Sequence, residues 1–162
     1  MEQQLIENSL KEKFQNEIVS FDESSDILTV TVKKDSIVDV IQFIKEDLGY
    51  QFLTDLCGIH YPEQELQLGV VYHLHNFLEN TRIRVKTFTS LAEPEIFSIT
   101  EIFSAANWME RETFDFFGVI FVNHPNLIRI LNVEYLDYYP LRKEYPLEDQ
   151  TRTDKDDRFF GR

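Results

Sequence analysis

Apolar and polar residues alternate along this chain with two different periods, and the switches between them mark its elements. Leu5, Ile6, Leu10 and Phe14 recur at helical spacing and predict a short amphipathic helix over Glu2 to Phe14. Glu17 to Phe21 predicts a strand and Asp22 to Asp26 a polar turn. Ile27 to Val32 predicts a second strand, with Leu28, Val30 and Val32 on one face and Thr29 and Thr31 on the other, so the two strands read as a hairpin. Asp35 and Ser36 offer N-caps to a helix whose apolar positions Ile37, Val40, Ile41, Ile44 and Leu48 recur at three and four, with Gly49 as its stop. Gln51 to Ile59 predicts a third strand, broken at Gly58. Leu66, Leu68, Val70, Tyr72 and Leu74 alternate into a fourth. Thr81 to Phe88 gives a fifth, joined to it across Asn76 to Glu79, with Ile83 and Val85 inward and Arg82, Arg84 and Lys86 outward. Ser98-Ile99-Thr100-Glu101 has the form of a capping box and predicts a helix that runs to about Phe117 and ends at Gly118.

The fold this implies is α+β: a mostly antiparallel sheet with helices packed on one face, contained in residues 1–118. Beyond Val122 neither period survives, and three of the five prolines (Pro125, Pro140, Pro146) fall there. The stretch is nevertheless rich in large apolar side chains, among them Leu127, Ile130, Leu131, Tyr135, Tyr138, Tyr139, Leu141, Tyr145, Leu147, Phe159 and Phe160. So irregular a segment does not bury that surface on itself, and a disordered tail is normally poorer in aromatics. Residues 119–162 therefore read as an extended irregular C-terminal arm that lies against its own domain or a partner.

Composition narrows the function. The net charge of −13 over 162 residues argues against a nucleic-acid binder and against adsorption to anionic lipid. The longest apolar runs fall far short of the ~20 residues that span a bilayer. Met1 to Glu7 shows neither a basic region nor an apolar core, so no secretory signal or transit peptide is expected. A single cysteine, Cys57, forms no internal disulfide, which suits a reducing compartment, and it cannot hold a four-thiolate cluster. No Gly-x-Gly-x-x-Gly is present for a dinucleotide. Fourteen Phe and seven Tyr favour a core or the centre of an interface.

Several residues are candidates for chemistry or contact. On a helical wheel Ile99, Ile102, Phe103, Ala106, Met109, Thr113, Phe116 and Phe117 share one arc. With Ile102 at zero, Glu110 falls at about 80°, inside that arc, and Arg111 at about 180°, outside it. A carboxylate on an apolar face needs a dedicated partner, and Glu110 reads either as a catalytic acid or base or as a buried carboxylate that holds a loop. Arg111 is placed to reach Asp115 one turn on. Trp108 lies off the arc and is a candidate for contact outside the domain. His73 and His75 share one side of a strand, as the start of a metal site or as two sheet-surface histidines. Cys57 with His60 suggests a thiol nucleophile; a lone cysteine there also reads as a small buried hydrophobe. The row Arg82, Arg84 and Lys86 suits an acidic partner strip or a solvated sheet face equally well. Arg142-Lys143-Glu144, set between prolines, reads as a partner contact ahead of an exposed charge run.

One run of residues is more specific. Ala105-Ala106-Asn107-Trp108-Met109-Glu110-Arg111-Glu112-Thr113-Phe114-Asp115-Phe116-Phe117-Gly118-Val119 resembles the hallmark of the C-subunit (30 kDa subunit) family of NADH-quinone oxidoreductase, respiratory complex I. The likeness continues through Phe121, His124-Pro125-Asn126-Leu127, Arg129-Ile130-Leu131 and Pro140-Leu141-Arg142-Lys143-Glu144-Tyr145-Pro146-Leu147, and upstream in Leu53 to Leu56 and Val71 to Leu74. Two places depart from the family: His60 precedes Tyr61 where an acidic residue is usual, and Tyr138-Tyr139 precede Pro140 where glycine and then His or Phe are usual. The second departure puts the local turn in doubt, since glycine there allows backbone angles that tyrosine resists.

The resemblance implies a non-catalytic peripheral-arm subunit of the proton-translocating translocase, which couples NADH oxidation to quinone reduction. It implies no catalytic, cofactor or metal residues in this chain, whereas the assembled complex uses FMN, iron–sulfur clusters, NADH and a quinone. The implied partners are chiefly the D subunit, also the B and I subunits, at the cytoplasmic face of the bacterial inner membrane and with no membrane contact outside the complex. Structural or interface roles are expected for Trp108, Glu110, Arg111, Glu112, Asp115, Gly118, His124, Pro125, Arg129, Pro140, Arg142, Lys143, Tyr145 and Pro146. Two rival readings are the equivalent subunit of an energy-converting hydrogenase or a ferredoxin- or F420-dependent quinone reductase, and a stand-alone hydrolase using Glu110 with a histidine.

Overall fold

The alternating segments pair into one five-stranded sheet in a computed structural model that describes residues 3–24 and 26–145. Pro146 and the rest of the expected arm, with Leu147, Phe159 and Phe160, lie outside the described residues. The sheet is built of β1 (Ile18–Ser24), β2 (Ile27–Val32), β3 (Phe52–His60), β4 (Leu68–Asn76) and β5 (Thr81–Thr89), in the order β1-β2-β5-β4-β3. Every neighbouring pair is antiparallel except β2 with β5. That parallel pair follows from the crossover: after β2 the chain leaves through a helix, enters at the far edge as β3, and returns by two antiparallel steps to the centre. The hairpins β1–β2 and β4–β5 are the ones the alternation predicts. Gly58 does not break β3, which runs through it to His60. Its missing side chain instead makes room for Phe117, whose ring fills the place where a Cβ would stand.

The helices α1 (Gln3–Lys13), α2 (Ile37–Glu46) and α3 (Ala106–Phe117) cover one face. Ile6 and Leu10 of α1 and Ile37, Val40, Ile41 and Ile44 of α2 join the inward residues Leu28, Val30, Val32, Leu56, Val70, Tyr72, Leu74, Ile83 and Val85 in one buried core. Ser36 stands at the N-cap of α2 but makes no side-chain cap bond, because a 3-10 turn over Lys34–Ser36 feeds directly into the helix.

Two boundaries differ from expectation. The helix predicted from Ser98 begins only at Ala106, after a string of turns. The capping box does not open a helix: Ser98 Oγ accepts the Thr100 N–H at 3.2 Å and donates to Glu110, so the segment closes as turns onto α3, while Glu101 stays exposed. The domain also extends past residue 118. Ile120–Val122 forms β7, parallel to β6 (Glu95–Phe97), with Val119 and Phe121 buried. The irregular arm proper starts at Asn123, which adopts a left-handed φ of 67°. Residues 123–145 lie on their own domain, against α3 and the end of β3.

Candidate functional site

Helix α3 carries two fully buried carboxyl groups, Glu110 and Asp115, and each ties down a different segment. On one side Ser98 Oγ donates to Glu110 Oε2 at 2.6 Å and the Ile99 N–H donates to Oε1 at 2.8 Å. These bonds hold the turns of residues 98–105 onto the helix. His124 lies alongside, its Nε2 4.0 Å from Glu110 Oε2. The imidazole is fixed by two other bonds: Nε2–H donates to the Asn107 carbonyl at 3.0 Å, and Nδ1 accepts the Asn126 N–H at 3.0 Å. His124 therefore closes the start of the arm onto α3. Burial pushes Glu110 up to about 7, and the bonds from Ser98 and Ile99 only partly oppose it.

On the other side Asp115 gathers five donors. Oδ2 accepts the backbone N–H groups of Ile130 (3.1 Å), Leu131 (2.8 Å) and Asn132 (2.9 Å). Oδ1 accepts from Arg129 Nη1 (2.8 Å) and Asn132 Nδ2 (3.2 Å). Burial alone would raise this carboxyl, but the N–H groups of Asn132, Leu131 and Ile130 and the Arg129 guanidinium outweigh it and hold it well below the usual carboxylate range. Arg129 is itself a hub. It also donates to the carbonyls of Asp115, Leu136 and Tyr138, and its guanidinium lies over the Tyr139 ring.

The pairing expected between Arg111 and Asp115 does not form. Asp115 is wrapped by the arm, and Arg111 donates instead to the carbonyls of Ile128 (3.1 Å) and Arg129 (3.0 Å). Its guanidinium stacks on Trp108, which is 61 % exposed. Gly118 caps α3 in the left-handed region at φ 76°, and a Cβ there would stand 2.5 Å from both Tyr139 and Arg142. Arg142 donates from Nε to the Phe117 carbonyl at 2.7 Å and lies over the Tyr139 ring. Tyr138 and Tyr139 are not among the positive-φ residues, so this turn forms without the family's glycine. Lys143 contributes its backbone N–H, donated to His60 Nδ1 at 3.0 Å, and Glu144 approaches the same ring at 3.6 Å. The His60 departure is thus an anchor for the arm. Tyr145 packs its ring on Tyr138. Glu112 and Pro125 are exposed, and Pro140 is half-buried beside the anchored turn.

The remaining candidates do not converge. Cys57 pairs with Val71 on the open side of β3, whereas His60 points into the interior, so thiol and imidazole lie on opposite faces. Cys57 is exposed and not a buried hydrophobe. His73 Nε2 accepts from Arg84 Nε at 3.2 Å and His75 packs against Phe77. Among the described residues no group of three or more His, Cys, Asp or Glu is placed to hold a metal ion. No helix among them is long and apolar enough to cross a membrane.

The arrangement anchors an arm by polar contacts, packs Leu127 against the core and leaves several other apolar side chains outside. Leu131 is 67 % and Tyr135 87 % exposed, with Ile128, Val133 and Trp108 exposed as well. Sequence reasoning missed Asp115 as the organiser of the arm; the only signal for it was the spacing from Asp115 to Arg129-Ile130-Leu131-Asn132.

Comparisons with known proteins agree on one family. The family described as respiratory-chain NADH dehydrogenase, 30 Kd subunit, matches residues 30–151. A protein of Citrifermentans bemidjiense, named as the C subunit of NADH-quinone oxidoreductase, is 43 % identical over 88 % of this chain and 89 % of its own length. One of the same name from Roseiflexus castenholzii is 44 % identical over 83 % of this chain and 79 % of its own. Among solved structures, a chain of an archaeal respiratory membrane complex, the membrane-bound sulfane sulfur reductase, superposes with a TM-score of 0.74 at 25 % identity over 89 % of this chain and 85 % of that one. A trypsin-resistant fragment of Nqo5 shares the fold, with a TM-score of 0.67 at 24 % identity over 75 % of this chain and 98 % of the fragment.

Proposed function

This chain belongs to the 30 Kd subunit family of the respiratory-chain NADH dehydrogenase, and from that premise we propose that it is a non-catalytic docking subunit of the peripheral arm of a proton-translocating NADH-quinone oxidoreductase. In this reading it docks on and stabilises the D subunit, near the B and I subunits, at the cytoplasmic face of the bacterial membrane. FMN, the iron–sulfur clusters, NADH and quinone are handled by other subunits. The chain supplies a shaped surface.

One observation carries the reading: residues 123–145 are tied to the domain by many polar contacts and still keep several large apolar side chains exposed. Their polar contacts face the domain, through Asp115, Arg111, Arg129 and Arg142, while Leu131, Val133 and Tyr135 face away from it. A segment fixed by its polar side presents its apolar side for burial elsewhere, and clustered exposed apolar residues mark interaction sites. Against the hydrolase reading, both oxygens of Glu110 are engaged and its side chain is fully buried.

The test is a tagged chain carrying L131E and Y135E, recovered from solubilised membranes. Partner recovery is expected to fall at least tenfold, the effect of ~1.4 kcal/mol lost in binding, with the thermal unfolding of the free chain unchanged. Undiminished recovery would overturn the docking role of the arm. The likeness to the archaeal complex keeps a second reading in view, the equivalent subunit of a related energy-converting complex. Co-elution of a flavin- and NADH-binding subunit supports the first reading, and co-elution of a hydrogenase-type large subunit without it supports the second.

A further inference from the structure

The face of the sheet away from the helices carries a feature that docking by the arm does not use. Along β5, Arg82, Arg84 and Lys86 project from this face at alternate positions. The register places them opposite His75, His73 and Val71 of β4, and on the other side Thr29 and Thr31 of β2 lie against Arg84 and Lys86. Two carboxylates stand in the Arg84 row, each two strands away, Asp55 opposite His73 and Asp22 opposite Thr29, and among the described residues none of the three cations forms an ion pair. Arg84 is held in place by neutral acceptors, His73 Nε2 at 3.2 Å and Thr29 Oγ1 at 3.4 Å. Among the described residues its Nη2 group makes no hydrogen bond. The end of the row is apolar and exposed: Phe52 and Phe77 pack ring to ring, and Leu78 is 97 % exposed.

Three cations in one row, without an ion pair among the described residues, are a local exception in a chain of net charge −13. We propose that this open sheet face is a second docking surface, which receives an extended acidic segment of a neighbouring subunit, its carboxylates on Arg82, Arg84 and Lys86 and an apolar side chain on Phe52 and Phe77. Charge complementarity and spacing select this occupant. Alternate residues of an extended chain repeat every ~6.6 Å, so carboxylates two residues apart meet successive cations of the row. Arg84, already oriented by His73 and Thr29, presents a fork suited to a carboxylate. A nucleic acid or an anionic membrane is disfavoured because the molecule's overall negative field repels an extended polyanion, whereas a protein segment needs attraction only at contact distance.

The inference rests on membership of an assembly, and its test separates the two. A tagged wild-type chain and its R82E/R84E/K86E variant are recovered from solubilised membranes, and the co-eluting subunits are quantified. The expected result is at least a tenfold loss of partner recovery for the charge reversal and a smaller loss for R82Q/R84Q/K86Q. Cys57 gives a second reading, because it sits on this face in the same cross-strand row as Val71 and Lys86 and is the chain's sole cysteine; it also borders the cleft lined by Glu112, Phe116 and Leu141, so its protection counts only together with the charge-reversal result. Mass spectrometry of its peptide is expected to show alkylation at least tenfold slower in the assembly than in the free chain. Undiminished recovery of the charge reversal, or equal Cys57 alkylation in both states, would sink the second surface while the assembly reading stood. A wild-type chain that brings down no other subunit overturns both. Binding of the free chain to anionic vesicles or single-stranded DNA, lost on charge reversal, overturns the choice of occupant. If the charge reversal does not fold, the glutamine variant carries the comparison.

Discussion

Glu110 and Asp115 sit five residues apart on one helix, both fully buried, and their environments drive them in opposite directions. Desolvation is the largest influence on each and acts on both in the same sense. The donors make the difference. Glu110 meets one hydroxyl and one backbone N–H, and its neighbour His124 spends its Nε2 proton on the Asn107 carbonyl. Asp115 meets three backbone N–H groups, an amide and a guanidinium. Burial therefore does not determine whether a carboxyl is charged; the number and charge of the donors that come with it do. The Glu110 niche holds a turn of the domain, and the Asp115 niche holds the arm.

The largest effect is expected at Asp115. D115N keeps the shape but loses the charge opposite Arg129 and leaves backbone donors facing an amide. Removing one partner of a buried pair typically costs about 3–5 kcal/mol, and urea denaturation at pH 7 measures it. The depressed folded pKa sets the pH dependence. The stabilisation is present above the unfolded value, near 3.9, and is lost as pH falls through the folded value. The gap between wild type and variant should therefore narrow below about pH 4. A pH-independent gap would show that shape, and not charge, holds the arm.

Glu110 has the opposite sign. Its folded pKa of about 7 lies above the unfolded value, so the native state binds the extra proton between roughly pH 4.5 and 7 and loses stability as pH rises through that window. E110Q removes the cost of ionisation. It should nearly match wild type at pH 5 and exceed it at pH 8 by about 2–3 kcal/mol, because each tenfold change in the ionisation equilibrium is worth about 1.4 kcal/mol. Equal stability at both pH values would show that Glu110 ionises in the fold without penalty, and the contrast with Asp115 would collapse.

The sheet was legible in the sequence because alternation reports what lies on either side of a strand. The outward row on β5, the hairpins and Gly118 all follow from period and position. Glu110 was legible as a carboxyl needing a partner, since its place on the apolar arc shows a conflict that something must resolve. Asp115 was not. A helical wheel describes the face a helix turns to its own core, and Asp115 is buried by an aperiodic arm laid over the other side. Arg111 was consequently given a partner that the arm had taken. The Ser98 capping box misled for a related reason: the motif describes local bonding, and Ser98, while it accepts the Thr100 N–H, also donates to a carboxyl group twelve positions away that holds the segment as turns.

That long-range bond allows the finest test. At pH 8 Ser98 donates to an ionised Glu110, a hydrogen bond worth about 1.5–3 kcal/mol, whereas at pH 5 the partner is a neutral acid and the bond is worth about 0.5–1.5 kcal/mol. S98A should therefore destabilise the chain at both pH values and by about 1 kcal/mol more at pH 8. Its loss grows as pH rises, whereas the gain of E110Q grows over the same interval. The two substitutions act on one bond, so in the double variant their pH-dependent parts should not add, because no ionised carboxylate remains for Ser98 to serve. Denaturation curves of the two single variants and the double variant at pH 5 and 8 give the coupling directly. Additivity within about 0.3–0.5 kcal/mol would mean that Ser98 acts through Thr100, whose N–H it accepts at 3.2 Å, and that the turn is held without Glu110.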